Sequence, residues 1–158
     1  HMGVPVECIR KAVAEFKAVE HRIEFVREVG GVKYYNDSKG TNPDAAIKAV
    51  EAMVTPTVVI GGGYDKQSSY EEWIASFGDK VKCLVLLGAT ADKIEATARK
   101  AGFTNIVRVG SLKEAVEASA VQAQSGDAVL LSPACASWDM FKSYEQRGTL
   151  FKEYVNQL

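Results

Sequence analysis

The stretch "YYNDSKGTNPDAA", Tyr34 to Ala46, decides how this chain is read. Two aromatics end a β-like run that starts at Val32. Asn, Asp, Ser, Lys, Gly, Thr and Asn then follow without a break. Pro43-Asp44-Ala45-Ala46 opens a helix, with Asn42 suited to cap it, Pro43 to its first position and Asp44 to the positive end of its dipole. A strand that runs through a polar turn into a capped helix is the opening of a βα unit.

Outward from that turn the pattern repeats. Strand-like runs are expected at Ile23–Val29, Val32–Asn36, Thr57–Ile60, Val81–Leu87, Ile106–Val109 and Ala128–Leu131. The later ones are continuously apolar, as parallel strands covered on both faces require. Helical runs lie between them. Ser69-Tyr70-Glu71-Glu72 and Ser111-Leu112-Lys113-Glu114 have capping-box spacing, and Gly102 is placed to end a helix over 91–101. Gly30-Gly31 between the first two strands predicts a hairpin, hence one antiparallel edge strand. The expected fold is α/β: a doubly wound, mostly parallel sheet of about six strands.

The first twenty residues differ. His1-Met2 resembles the remnant of a tag, and Pro5 opens a helix with Val6, Ile9, Val13 and Phe16 on one stripe. That helix belongs either to this core or to a preceding domain, and its stripe offers a route to self-association. The division expected is 1–20 for tag remnant and tail helix, and 21–158 for the α/β domain.

A chain of 158 residues suits one full core, and 47% apolar with 25% charged residues is ordinary for a soluble globular protein. A net charge of −1 without a basic cluster argues against a nucleic-acid partner. No apolar run has the length of a membrane span, so no insertion is expected. Cys8, Cys83 and Cys135 lack metal-site spacing and fit a reduced, cytoplasmic setting. No metal-ligating cluster is expected.

In an open parallel sheet, ligands bind outside the carboxyl ends of the strands. Three unusual turns fall there: 36–42, "GGGYDKQSS" (Gly61–Ser69) and "SPACASWD" (Ser132–Asp139). In the first, Asn36 and Asp37 offer acceptors for a ribose hydroxyl or a metal-bound water. Lys39 offers a cation, and Thr41 with the helix start offers donors to an anion; turn chemistry alone accounts for Ser38, Gly40 and Asn42. In the second, three glycines let backbone approach a ligand, and Lys66 is either a carboxylate anchor or a surface lysine. It is no P-loop, because Lys66 stands where the second glycine of that motif should be. In the third, Ser137 is placed as a helix N-cap that is either structural or anion-binding, with Tyr144 two turns along the same face. Cys135 suits a small packed residue. His21-Arg22 precedes the first strand, where Arg22 has the fork to hold a phosphate.

Taken together, "EHRIEFV", "YYNDSKGTNPDAA", "GGGYDK" and "LLSPACASWDMFKSYEQRG", in this order and spacing, closely resemble the C-terminal domain of the Mur ligases. The likeness runs from about His21 to Leu158. It implies an ATP-dependent amide ligation in peptidoglycan precursor synthesis, in which D-glutamate is added to UDP-N-acetylmuramoyl-L-alanine through an acyl phosphate. Carried over by the resemblance, Thr41, Lys66 and Ser137 hold the two carboxylates of D-glutamate, with the backbone at Tyr144 assisting. Arg22 reaches a phosphate of ATP, Asp37 the ribose, and Lys39 the space between phosphates and amine, with Asn36 and His21 nearby. ATP and Mg2+ are expected mainly on a central domain that precedes this one, so the chain alone is expected to be inactive. The competing expectation is a flavodoxin-like nucleotide- or metal-binding module without catalysis.

Overall fold

The computed structural model describes residues 5–8, 10 and 19–158. The apolar stripe expected over 6–16, and the self-association expected of it, lie mostly outside the described residues.

Six strands form one sheet: β1 (Glu24–Val29), β2 (Val32–Asn36), β3 (Thr57–Gly61), β4 (Val81–Leu86), β5 (Ile106–Arg108) and β6 (Ala128–Leu131). Their spatial order is β1-β2-β6-β3-β4-β5. Only β1 and β2 are antiparallel; the pairs β2–β6, β6–β3, β3–β4 and β4–β5 are parallel. The hairpin turns at Gly30 and Gly31 with φ of +59° and +79°, which suit glycine best. Strand ends differ from the expected ones by a single residue at β1, β3, β4 and β5.

Five helices connect or follow the strands: α1 (Pro43–Ala52), α2 (Glu71–Ala75), α3 (Ala91–Lys100), α4 (Leu112–Gln122) and α5 (Tyr144–Asn156). The alternation of side chains along each central strand builds two cores. Val59, Leu84, Leu86 and Leu130 face Ala46, Trp73 and Ile94, so α1, α2 and α3 cover one face. Val58, Ile60, Val85, Val129 and Leu131 face Val116 and Phe151, so α4 and α5 cover the other. Burial on both sides is why these strands are apolar at nearly every position, with Thr57 and Lys82 the exceptions near their starts. Among the described residues no helix is long and apolar enough to cross a membrane.

The strand order fixes where a ligand can sit. β6 returns to the slot between β2 and β3. The segments leaving Asn36, Gly61 and Leu131 therefore start from three adjacent strands at one rim, the switch point of a doubly wound sheet.

Candidate functional site

These three segments are stitched to one another. The N–H of Gly62 donates to the Pro133 carbonyl and that of Tyr64 to the Ala136 carbonyl, both at 2.9 Å. Here the structure corrects the expected purpose of the triple glycine. A Cβ on Gly62 would lie 2.0 Å from the Leu87 carbonyl oxygen, and one on Gly63 2.3 Å from that of Ala136. Gly62 and Gly63 admit neighbouring backbone of this chain, and Lys66 follows three residues after Gly63. Between the first and third segments, Ser132 Oγ donates to Asp37 at 2.9 Å and Ser38 Oγ to the Tyr144 carbonyl at 2.7 Å.

Arg147, which sequence reasoning missed, joins the same two segments from α5. It is buried and donates to Ser38 Oγ (2.9 Å), the Ser38 carbonyl (2.8 Å) and the Cys135 carbonyl (3.2 Å). Burial pushes its pKa down to about 10, which still leaves it charged near neutral pH. A cation satisfied by carbonyls rather than by a carboxylate leaves the rim more positive than a neutral stitch would. No spacing rule singles out such a residue; only its neighbours in space do.

The convergence opens a cleft of about 300 Å³ lined by Thr41, Lys66, Ala136, Ser137, Trp138, Ser143, Tyr144 and Glu145. Thr41, Lys66, Ser137 and Tyr144, named from sequence as one group, thus share one cavity. Lys66 Nζ lies 3.5 Å from the Thr41 carbonyl and is paired with no carboxylate among the described residues. Two expectations fail here. Ser137 caps no helix: its carbonyl accepts from the N–H groups of Met140 (3.2 Å) and Phe141 (2.8 Å), closing a single turn. The helix begins later, capped by Ser143, and Tyr144 is its first residue rather than a partner of Ser137 two turns along. Tyr144 is half-buried at the cleft wall and edge-on to His21, with centroids 6.1 Å apart, so it is no core aromatic.

The second sequence-derived group, His21, Arg22, Asn36, Asp37 and Lys39, gathers beside the cleft. Asn36 and Asp37 are buried, which departs from their reading as free acceptors. The Asn36 amide oxygen accepts from Ser38 N–H at 3.1 Å, which turns its NH₂ toward His21 Nδ1 (2.9 Å) and Glu24 (3.1 Å). Because that NH₂ can only donate, Nδ1 accepts and a neutral His21 carries its proton on Nε2. The Asp37 carboxylate takes the Ser132 hydroxyl, and from Arg22 and the Ile23 N–H two longer bonds of 3.3 Å. Burial raises its pKa, against the lowering effect of Ser132 and Arg22. Lys39 is half-buried, and its N–H donates to the His21 carbonyl at 3.0 Å. Among the described residues no three His, Cys, Asp or Glu side chains are grouped to hold a metal ion.

Backbone strain is concentrated in the same segments. The non-glycine residues with positive φ among those described are His21, Ile23, Gln67 and Ala134. A β-branched residue at φ +45°, as Ile23 is, persists only where its surroundings hold it. Asp37 and Glu24 supply that hold through the N–H groups of Ile23 and His21.

Fold and rim together define a doubly wound α/β domain with a cleft at its switch point that is lined by one lysine, two serines, a threonine and a tyrosine. The model of the family described as "Mur ligase, glutamate ligase domain" matches residues 21–135, and the chain belongs to that family. A UDP-N-acetylmuramoylalanine--D-glutamate ligase of Lachnoclostridium phytofermentans is 61% identical over 157 residues, 99% of this chain and 35% of that protein. One of the same name from Thermoanaerobacter sp. is 54% identical over 158 residues, with the same coverage. The chain spans about a third of the length of these curated relatives. Among solved structures, a UDP-N-acetylmuramate-alanine ligase of Thermotoga maritima superposes with a TM-score of 0.67 at 14% identity, over 99% of this chain and 34% of that one. A folylpolyglutamate synthase of Mycobacterium tuberculosis does so with 0.65 at 12%, over 94% and 36%. At these identities the likeness shows the fold alone.

Proposed function

We propose that the chain is the amino-acid-binding domain of a ligase that joins D-glutamate to UDP-N-acetylmuramoyl-L-alanine with hydrolysis of ATP, working in the cytoplasm. The observation that carries this reading is the shared cleft of Thr41, Lys66, Ser137 and Tyr144. D-Glutamate brings two carboxylates, and each needs a cation or a cluster of donors. Lys66 and the Thr41 hydroxyl supply one set. Ser137 and the backbone leading to Tyr144 supply the other.

In the proposed reaction the terminal carboxylate of the nucleotide peptide attacks the γ-phosphorus of ATP, giving an acyl phosphate and ADP. The D-glutamate amine then attacks the acyl carbon, loses a proton, and phosphate leaves. Anchoring both carboxylates leaves the amine as the free end, aimed past Lys39 toward the nucleotide group, and proximity does the rest. Arg22, 38% exposed at its side chain, is free to swing to a phosphate. That motion uncovers the Asp37 oxygen held only by long bonds, making it available to a ribose hydroxyl. Asn36 and His21 brace the turn beneath. Mg2+ accompanies ATP in this proposal, with no ligand assigned among these side chains.

In the whole ligase, Lys66→Ala is expected to raise KM for D-glutamate at least about tenfold while KM for ATP stays within about twofold. An unchanged KM for D-glutamate would refute the assignment. A flavodoxin-like module with no part in amide formation is not favoured, given the family and the named relatives.

A further inference from the structure

Trp138 is unusual for its place. It is 64% exposed, so its ring contributes little to the core, yet it is in contact with two other side chains at the cleft. Tyr64 lies 5.6 Å from it, centroid to centroid, at 52°. Lys66 Nζ lies 5.4 Å from the indole centroid, over the ring.

Local backbone explains why the three meet. Tyr64 and Ala136 form an antiparallel bridge. The diagonal neighbour of Tyr64 across that bridge is Trp138, within reach of a large ring. Two residues after Tyr64, the Lys66 side chain reaches over the same Trp138 ring. Asp65, between them, is paired with Lys93 at 3.3 Å. At the far end, Asp139 accepts from the Ala89 N–H at 3.0 Å and pins the turn that carries Trp138.

Resting on the D-glutamate reading above, we propose that Trp138 is a positioning residue: its indole face, braced by Tyr64, holds the Lys66 ammonium at the cleft mouth without neutralising it. A carboxylate in that place would compete with the ligand for the lysine. A ring quadrupole attracts the ammonium yet leaves its full charge for an incoming carboxylate. The long lysine stem, otherwise free to sample many rotamers, loses that freedom before the ligand arrives, which lowers the entropy cost of binding.

The test is lysine side-chain NMR on this chain, first without ligand and then titrated with D-glutamate. Without ligand, the Lys66 ε-methylene is expected upfield of the other lysines through the indole ring current. Trp138→Phe should keep most of that shift, and Trp138→Leu should abolish it. D-Glutamate should bind the leucine variant about two- to fivefold more weakly than wild type, and the phenylalanine variant almost as well. An unshifted Lys66 in wild type, or equal affinity in the leucine variant, overturns the positioning role. A ring-current shift that depends on Trp138, with no response to D-glutamate in any variant, upholds the contact and rejects D-glutamate as the ligand.

Discussion

At the scale of single residues, the site depends on side chains whose spatial neighbours are distant in sequence. Gly148 shows how tightly they fit. It sits inside α5, where alanine would ordinarily be favoured by about 1 kcal/mol. A Cβ there would lie 2.2 Å from Nδ1 of the buried His21 ring, whose position is fixed by Asn36. The overlap decides the sign: Gly148→Ala is expected to destabilise by about 1–3 kcal/mol, read as a lower urea midpoint at unchanged slope. A raised midpoint would mean that His21 is free to move. Thr41, Lys66 and Ser137 were singled out as a group only by the resemblance of the motifs, since turn chemistry left Lys66 and Ser137 open between a structural and a ligand-binding role. Arg147 was not, since a lone arginine in a helical run carries no periodic signal. Asn36 and Asp37 were legible as a polar pair but not as a buried one, because burial there comes from β6 and α5, about a hundred residues away.

The elements themselves were read mostly from their ends. Asn42 caps α1 as expected, its side-chain oxygen accepting from Ala45 N–H at 2.9 Å. The box expected at Ser69 does not form: α2 starts at Glu71 after Tyr70, and Ser69 Oγ donates to the Glu71 carboxylate instead. These two serve as a matched pair. Asn42→Ala should cost about 1 kcal/mol of unfolding free energy by chemical denaturation, and Ser69→Ala less than about 0.5 kcal/mol. Equal losses would contradict the assignment of caps. Ser111 meets the expectation at one end only. It accepts from Glu114 N–H at 3.2 Å, but Glu114 reaches back to Gly110 rather than to Ser111. Ser143 and Gln146 repeat that geometry, with Gln146 accepting from Lys142 N–H at 2.7 Å. The Ser-x-x-Gln spacing of 143–146 was present in the sequence and outcompeted Ser137 as the start of α5. One physical reason is the single turn that the Ser137 carbonyl closes, after which the chain must redirect before a helix can run back over β1 and β2.

For the whole molecule, the governing fact is that β6, last in the chain among the strands, occupies the slot between β2 and β3. Alternating strands and helices, and the edge hairpin, were legible from periodicity and from Gly30-Gly31. The strand order was not, because the central strands β3, β4 and β6 are apolar on both faces and periodicity carries no information about neighbours. That the three turns share one rim was legible because each follows a strand and leads into a helix; that they leave three adjacent strands was not. The most direct measurement of that claim is a backbone-amide NMR titration of this chain with D-glutamate, on wild type and on Lys66→Ala. Perturbations are predicted at Thr41, Lys66, Ser137, Trp138 and Tyr144 together, following one saturation curve and lost in the variant. Shifts scattered over unrelated surfaces, or a response that survives Lys66→Ala unchanged, would contradict a single anion-receptive cleft.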